Sequence, residues 1–177
     1  MKATGIVRRI DNLGRVVIPK ELRKSLRLRE NETIEIFTDA NGEVVLKKYS
    51  PVGELGHFAQ EYADALYQSL DHTACITDRD KIIAAAGQNA KILLNTKLAS
   101  EVEEAMAGRK VIAYAQPTSL TVNQDDLYSS TVIAPIIAGS DVLGSVIITT
   151  KENVDMGQLE LKMCETAAGF LARQMEE

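Results

Sequence analysis

The fold of the first fifty residues is decided by one stretch, GIVRRIDNLGRVVIPKELR at residues 5–23. Short β-branched runs stand on both sides of Asp11-Asn12-Leu13-Gly14, where Asp, Asn and Gly favour a turn. Pro19 stands where a helix can begin, because its missing N–H costs nothing at the first helical position. The stretch therefore predicts a strand, a turn, a second strand and a short basic helix over 20–26.

Two further strand-like runs, 33–39 and 43–49, flank Ala40-Asn41-Gly42. An Asn-Gly pair between such runs is a strong signal for a tight hairpin, so the order over residues 1–50 is β-β-α-β-β. The apolar content of this segment is small, and a domain of ~50 residues without disulfides or metal usually needs a partner chain to be stable. We expect the segment to dimerise.

Charge is divided unevenly along the chain. Residues 1–50 hold 11 Lys/Arg against 7 Asp/Glu, whereas residues 51–177 hold 9 against 18. Asp11 and Glu21 are the acidic residues among the first 29, where arginine predominates among the basic ones, and arginine forks onto phosphate oxygens and guanine edges better than lysine does. A basic segment joined to an acidic one indicates a polyanionic partner. The basic residues over 1–29 are Lys2, Arg8, Arg9, Arg15, Lys20, Arg23, Lys24, Arg27 and Arg29.

The rest of the chain is patterned for a second folded domain. Apolar residues recur at helical spacing over 52–70 and over 156–171, and a helix around 98–107 ends at Gly108. Short turns at 78–80 and 139–141 require antiparallel strands, which predicts an α+β domain of order α-β-β-α-β-β-β-α. The predicted strands are 73–77, 81–86, 111–115, 130–137 and 142–149.

A break in composition separates the two parts. Ser50-Pro51-Val52-Gly53 interrupts both strand and helix patterns. We therefore predict a first domain over 1–50, a linker over 51–55 and a second domain over 56–177.

Several classes of function are disfavoured. The apolar stretches are far shorter than the ~20 residues of a membrane-spanning helix, and no apolar leader opens the sequence, so a cytoplasmic location is expected. Cys75 and Cys164 have no C-x-x-C neighbour and are interpreted as buried small hydrophobes. His57 and His72 are not in ligand-like spacing, so neither a metal nor a cofactor is expected.

The stretch 5–23, continued by Leu46-Lys47-Lys48-Tyr49-Ser50-Pro51 and by residues 165–176, resembles the AbrB-type transition-state regulators that carry a C-terminal GAF domain. No match extends over 85–130, and the signature of cyclic-nucleotide GAF domains is missing, since Asn95-Thr96-Lys97-Leu98 departs from it. The resemblance implies a dimeric swapped-hairpin β-barrel followed by a GAF-like domain with an antiparallel sheet and terminal helices. It also implies a transcription factor that activates and represses late forespore genes of a spore-forming bacterium.

The resemblance further implies which residues contact double-stranded DNA. The basic residues of the first strand, the loop after it and the short helix face DNA in that family; by position these are Arg8, Arg9, Arg15, Arg23 and Lys24. Lys2 and Lys20 are weaker candidates. The alternative is that these side chains only solubilise a small dimer, but a solubilising surface usually mixes both signs of charge.

Two apolar terminal helices and a segment that must dimerise provide two separate two-fold contacts. If both contacts join the same two chains, the product is a dimer; if they join different chains, a closed tetramer follows. We expect a homotetramer, with a homodimer formed through the first domain and the tetramer formed through the C-terminal helices.

We expect the second domain to regulate rather than catalyse, by binding an unidentified small molecule between its sheet and residues 87–127. An assembly module without ligand is the equal alternative. An antitoxin with the same kind of first domain would end in a disordered tail, which the patterning after residue 52 disfavours. A thiol-dependent GAF enzyme would need Cys75 and Cys164 within disulfide reach in a pocket.

Overall fold

The computed structural model describes residues 4–123 and 127–176 and divides the chain into two compact units, Met1–Tyr49 and Ser50–Glu177. Lys2 and residues 124–126 of the predicted ligand segment lie outside the described residues. The two units are named below the first unit and the second unit.

The first unit contains one helix and one β-hairpin. Helix α1 is Lys20–Ser25, and strands β1 (Ile34–Thr38) and β2 (Val44–Lys48) pair antiparallel, with Ile34 opposite Lys48. Gly42 closes the hairpin loop with a φ of 79°, a conformation that glycine adopts without steric cost. The helix and hairpin predicted for residues 20–49 are confirmed.

Residues 5–18 form a turn without the two strands predicted beside it. The amide of Gly14 donates to the Asp11 carbonyl at 3.0 Å, and the amide of Asp11 donates to the Arg15 carbonyl at 3.1 Å. The segments on both sides carry no ladder, because a strand needs a neighbouring strand for its hydrogen bonds and the described residues of the single chain supply none there.

The first unit buries no apolar core of its own. Apart from Pro19, every buried apolar residue of the described chain lies at Val52 or beyond. Val7, for example, exposes 85% of its surface. The exposed large hydrophobics of this unit are Ile6, Val7, Ile10, Leu13, Val16, Val17, Leu26, Ile36, Phe37, Val44, Leu46 and Tyr49.

The second unit is built on a five-stranded antiparallel sheet of order β4-β3-β9-β8-β5. The antiparallel prediction is confirmed, and so are the two long helices. The elements of this unit are α2 (Pro51–Glu54), α3 (Gly56–Leu70), β3 (Thr73–Thr77), β4 (Ile82–Ala86), α4 (Ala90–Leu93), α5 (Ser100–Gly108), β5 (Ile112–Tyr114), β6 (Thr118–Ser119), β7 (Leu127–Tyr128), β8 (Ser130–Ala138), β9 (Asp141–Thr150) and α6 (Gln158–Gln174).

Helices cover both faces of this sheet. Helices α3 and α6 pack on one face, around Ala63, Ile76, Ile148 and Leu171. Helices α4 and α5 pack on the other face, around Leu93, Val102 and Ile147. Alternate residues of the central strands enter the two clusters, as the two-residue period of a strand requires.

The segment 51–55, predicted as a linker, forms the short helix α2. The hydroxyl of Ser50 accepts from the amide of Gly53 at 3.2 Å, and Pro51 occupies the first helical position. Val52 is fully buried in the second unit. Helix α4 and the two-residue strands β6 and β7 were not predicted, because elements this short carry no readable period.

Among the described residues, no helix has both the length and the apolar character that crossing a membrane requires.

Candidate nucleic-acid interface

Arg15 lies at the end of the exposed turn in the first unit, where Asp11 holds it. Asp11 Oδ1 accepts from the amides of Leu13 at 2.9 Å and Arg15 at 2.8 Å, and Asp11 Oδ2 accepts from Arg15 Nε at 2.8 Å. The backbone and side-chain hydrogen bonds from Arg15 hold the pKa of the Asp11 carboxyl below its usual value. The Arg15 side chain is still 70% exposed. Its guanidinium is therefore accessible to a ligand while one of its nitrogens is fixed.

Arg8 and Arg9 precede this turn on an exposed segment that lies outside the helices and strands. Arg8 Nη1 donates to the carbonyl of Val7 at 3.2 Å. Arg8 and Arg15 thus occupy the two arms that meet at one turn.

Arg23 and Lys24 form a second group in the last turn of α1. Both are exposed, and none of the residues of α1 is buried. The amide of Arg23 donates to the Pro19 carbonyl at 2.9 Å, so Pro19 begins the helix that carries these two side chains. The structure therefore places the predicted contacts in two groups, one at the turn and one on the helix.

Lys48 has a structural contact that a count of charges cannot identify. Its Nζ lies 3.3 Å from Glu32 Oε1, and the Glu32 side chain is only 6% exposed. Glu32 Oε2 also accepts from the amide of Arg29 at 2.7 Å. These contacts tie the start of β1 to the end of β2, so Lys48 supports the hairpin rather than the basic surface.

The hairpin turn at Asp39 repeats the geometry of the Asp11 turn. Asp39 Oδ1 accepts from the amides of Asn41 at 3.0 Å and Glu43 at 2.8 Å, and the amide of Gly42 donates to the Asp39 carbonyl at 3.2 Å. Glu43 stands where the first turn has Arg15. Two turns of the same shape thus differ in charge at the fourth residue after the aspartate, and of these two the Asp11 turn, with Arg15 there, is the one that suits an anionic partner.

The two cysteines lie on opposite faces of the second unit's sheet. Cys75 belongs to the cluster under α4 and α5, whereas Cys164 belongs to the cluster under α3 and α6, where its Sγ lies 3.2 Å from the Val146 carbonyl. Burial raises the pKa of each thiol to about 12. The sheet thus lies between the two thiols, which are not placed as a thiol-dependent GAF enzyme would need them, and their interpretation as buried small hydrophobes agrees with the structure.

The sheet face toward residues 87–127 is packed with apolar side chains. Leu98, Val102, Met106 and Leu120 cover Ile133 on this face. Buried hydroxyls at the ends of the face bond within the protein; Thr131 and Thr149, for example, have Oγ1 atoms 2.7 Å apart. A small-molecule site under this segment stays a prediction.

Family models match both units. Residues 54–176 match the model described as stage V sporulation protein T C-terminal, transcription factor. Residues 7–54 match the model described as antidote-toxin recognition MazE, bacterial antitoxin. The antitoxin model covers most of the first unit and the first five residues of the second, and the transcription-factor model covers nearly all of the second unit.

Relatives in Bacillus subtilis (strain 168) extend this result. Stage V sporulation protein T is 52% identical over 179 residues, which cover 100% of both chains. The transition state regulatory protein AbrB is 55% identical over 51 residues, which cover 29% of this chain and 52% of AbrB. The first unit is thus AbrB-like, as the sequence predicted.

Solved structures resemble the second unit. The GAF domain of a phosphoenolpyruvate-protein phosphotransferase from Coxiella burnetii has a TM-score of 0.58 at 18% identity, covering 68% of this chain and 82% of that chain. A type II free methionine-R-sulfoxide reductase from Thermoplasma acidophilum has a TM-score of 0.53 at 13% identity, covering 68% and 94%. These identities show the fold alone, which confirms the GAF-like prediction.

Proposed function

The chain belongs to the family of stage V sporulation protein T, and on that premise we propose that Arg8, Arg9, Arg15, Arg23 and Lys24 contact double-stranded DNA. The protein is a DNA-binding transcription regulator of sporulation with a GAF-like domain. Its first unit is the AbrB-like part and carries the basic surface.

The Arg15 turn is the observation that carries the proposal. Arg15 is exposed on a turn whose backbone is fixed by hydrogen bonds, and Arg8 lies on the neighbouring arm. A guanidinium held in this way can fork onto two phosphate oxygens or onto the O6 and N7 atoms of guanine. A short helix of six residues and a turn do not fill the major groove, so we expect DNA shape and deformability to contribute to sequence selection.

We propose that a second copy completes the first unit. The apolar residues between Ile6 and Val17 are exposed and their backbone has no ladder partner, so a neighbouring chain that supplies strands would satisfy both needs. The homodimer would then present two copies of the arginine turn. Two-fold symmetric contacts fit a target with two similar half-sites.

For the second unit we propose an assembly role through the terminal helices α3 and α6, which gives a homotetramer. A ring cluster of Phe58, Tyr62 and Phe170 joins these helices; the ring centroids of Tyr62 and Phe170 are 5.6 Å apart. An unidentified small-molecule effector that binds this unit would change DNA affinity only by preferring one of two arrangements. We place the protein in the forespore cytoplasm, where it would activate some late genes and repress others.

The test measures DNA binding by the full chain and by single variants. The probe is a duplex that the wild-type protein selects from random-sequence DNA, compared with a shuffled duplex of equal composition. Arg8→Ala, Arg15→Ala and Arg23→Ala should each weaken binding to the selected duplex by about 1–3 kcal/mol, because each removes a direct contact.

Lys91→Ala removes an exposed positive charge from α4 of the second unit and serves as the control. Its binding should equal that of the wild type. The proposal fails if all three arginine variants bind the selected duplex as tightly as the wild type does.

A further inference from the structure

Asp11 is an acidic side chain in the middle of the basic segment. Glu21 is the other acidic residue among residues 1–29. A carboxylate beside a DNA contact repels phosphates, so by charge alone Asp11 lowers affinity for any DNA. Its hydrogen bonds indicate the role that offsets this loss of affinity.

The two oxygens of Asp11 have different partners. Oδ1 accepts from the backbone amides of Leu13 and Arg15 and so shapes the turn. Oδ2 accepts from Arg15 Nε at 2.8 Å and so holds the side chain. Within the part of the chain that the structure describes, Nη1 and Nη2 of Arg15 make no further hydrogen bond.

The Asp39 turn shows that this backbone shape forms without a contact to an arginine. Asp39 Oδ1 accepts from the two backbone amides of that turn, at 3.0 and 2.8 Å, and Asp39 Oδ2 accepts from Asn41 Nδ2 at 3.3 Å, whereas the residue at the position of Arg15 is Glu43. The same backbone geometry thus forms without an arginine. The contact from Asp11 Oδ2 to Arg15 Nε is separable from the turn itself.

We infer that Asp11 is a positioning residue that makes Arg15 selective for DNA sequence. This inference rests on the proposed contact between Arg15 and DNA. Asp11 fixes the plane of the guanidinium, so the two Nη groups point in one direction and favour one arrangement of acceptors. An arginine that is not held can swing onto any nearby phosphate, which strengthens binding to all sequences alike.

Asp11→Asn tests this role in the full chain. Asn keeps an oxygen that can accept the two backbone amides, but it loses the charged contact to Nε. Affinity for the selected duplex should fall relative to affinity for the shuffled duplex by at least about fivefold, the lower end of what one bidentate arginine contact contributes. Binding to the shuffled duplex should become more salt-dependent, with log K falling by about 0.9 more per tenfold rise in salt for each extra phosphate neutralised.

Asp39→Asn is the matched control, since it makes the same change in the turn that has no arginine. It should leave both affinities and the salt slope unchanged. Arg15→Lys is the second variant; it keeps the positive charge, cannot reproduce the planar Nε contact, and leaves Asp11 in place to shape the turn. It should lose discrimination as Asp11→Asn does, while its binding to the shuffled duplex stays at the wild-type level or above.

The outcomes separate the two proposals. If Arg15→Ala weakens binding but Asp11→Asn and Arg15→Lys discriminate as well as the wild type, Asp11 does not position Arg15 and this inference is overturned. If Arg15→Ala binds the selected duplex as the wild type does, the DNA contact of Arg15 fails and the role of Asp11 fails with it. A loss of discrimination in Asp39→Asn equal to that in Asp11→Asn would assign the effect to turn stability and would also overturn it.

Discussion

At the scale of single residues, the cysteines show how burial controls chemistry. Cys75 and Cys164 are each buried, on opposite faces of one sheet, and burial raises the pKa of each thiol from 9.0 to about 12. The protonated thiol is therefore favoured in the folded state. This stabilising contribution is fully present below pH 9.0, the ordinary value, and is lost as the pH rises toward about 12.

We predict that neither thiol of the folded protein reacts with an aromatic disulfide reagent at pH 8, because the thiolate is the reactive form and both sulfurs are shielded from solvent. Labelling should require unfolding and should rise with denaturant along the unfolding transition. The fully denatured protein, in which both cysteines react, is the control. Rapid labelling of the native protein would contradict the burial of the thiols.

The roles of individual charged residues could be predicted only in part. Arg15 was predicted as a DNA contact from the motif around it, and its exposure on the turn is compatible with that role. The contact between Lys48 and Glu32 could not be predicted, because it depends on how the two strands of the hairpin align. Asp11 was counted as one opposing charge, although a carboxylate four residues before an arginine and across a glycine turn is a readable signal for a local contact.

At the scale of elements, helices and strands with a periodic apolar pattern could be predicted from the sequence. Very short elements, and strands that need a partner strand from elsewhere, could not. Helices α3 and α6 and strands β8 and β9 follow from repeats over nine or more residues. The strands predicted beside Asp11 have the right composition, but a strand forms only where a neighbour accepts its hydrogen bonds. The composition of the chain therefore predicts these two strands, although one chain by itself does not form them.

The prediction at this scale concerns helix α2. We propose domains over 1–50 and 56–177, and the residues between them form a helix with Val52 buried and with the Ser50 hydroxyl 3.2 Å from Asp78 Oδ2. Hydrogen exchange should show protection of the amides of Glu54 and Leu55, which donate to the carbonyls of Ser50 and Val52. Ser50→Ala should destabilise this helix by about 1 kcal/mol, because it removes the cap, and exchange there should speed up accordingly.

Ser69→Ala is the control for that measurement. The Ser69 hydroxyl bonds only the Ala65 carbonyl within α3, so its removal should leave exchange over 51–55 unchanged. Exchange of these amides at the rate of an unstructured chain in the wild type would mean that the segment is a flexible linker after all.

At the scale of the whole molecule, the two units differ in whether they form an apolar core. The second unit has a core on both faces of its sheet, whereas the first unit, over residues 4–49, exposes twelve large hydrophobics and buries none. Composition predicted this difference, because about fifty residues without a disulfide or a metal rarely form a stable core. In the dimer that we propose, the residues that complete the core belong to a second copy, so they could not be read from one chain.

The central claim is that one chain cannot form the DNA-binding unit alone. Sedimentation of the full chain at micromolar concentration tests it most directly, because two two-fold contacts that join each chain to two different neighbours close into four copies. We predict a single species with the mass of a homotetramer. A dimer would refute the tetramer, whereas a stable monomer would contradict the central claim.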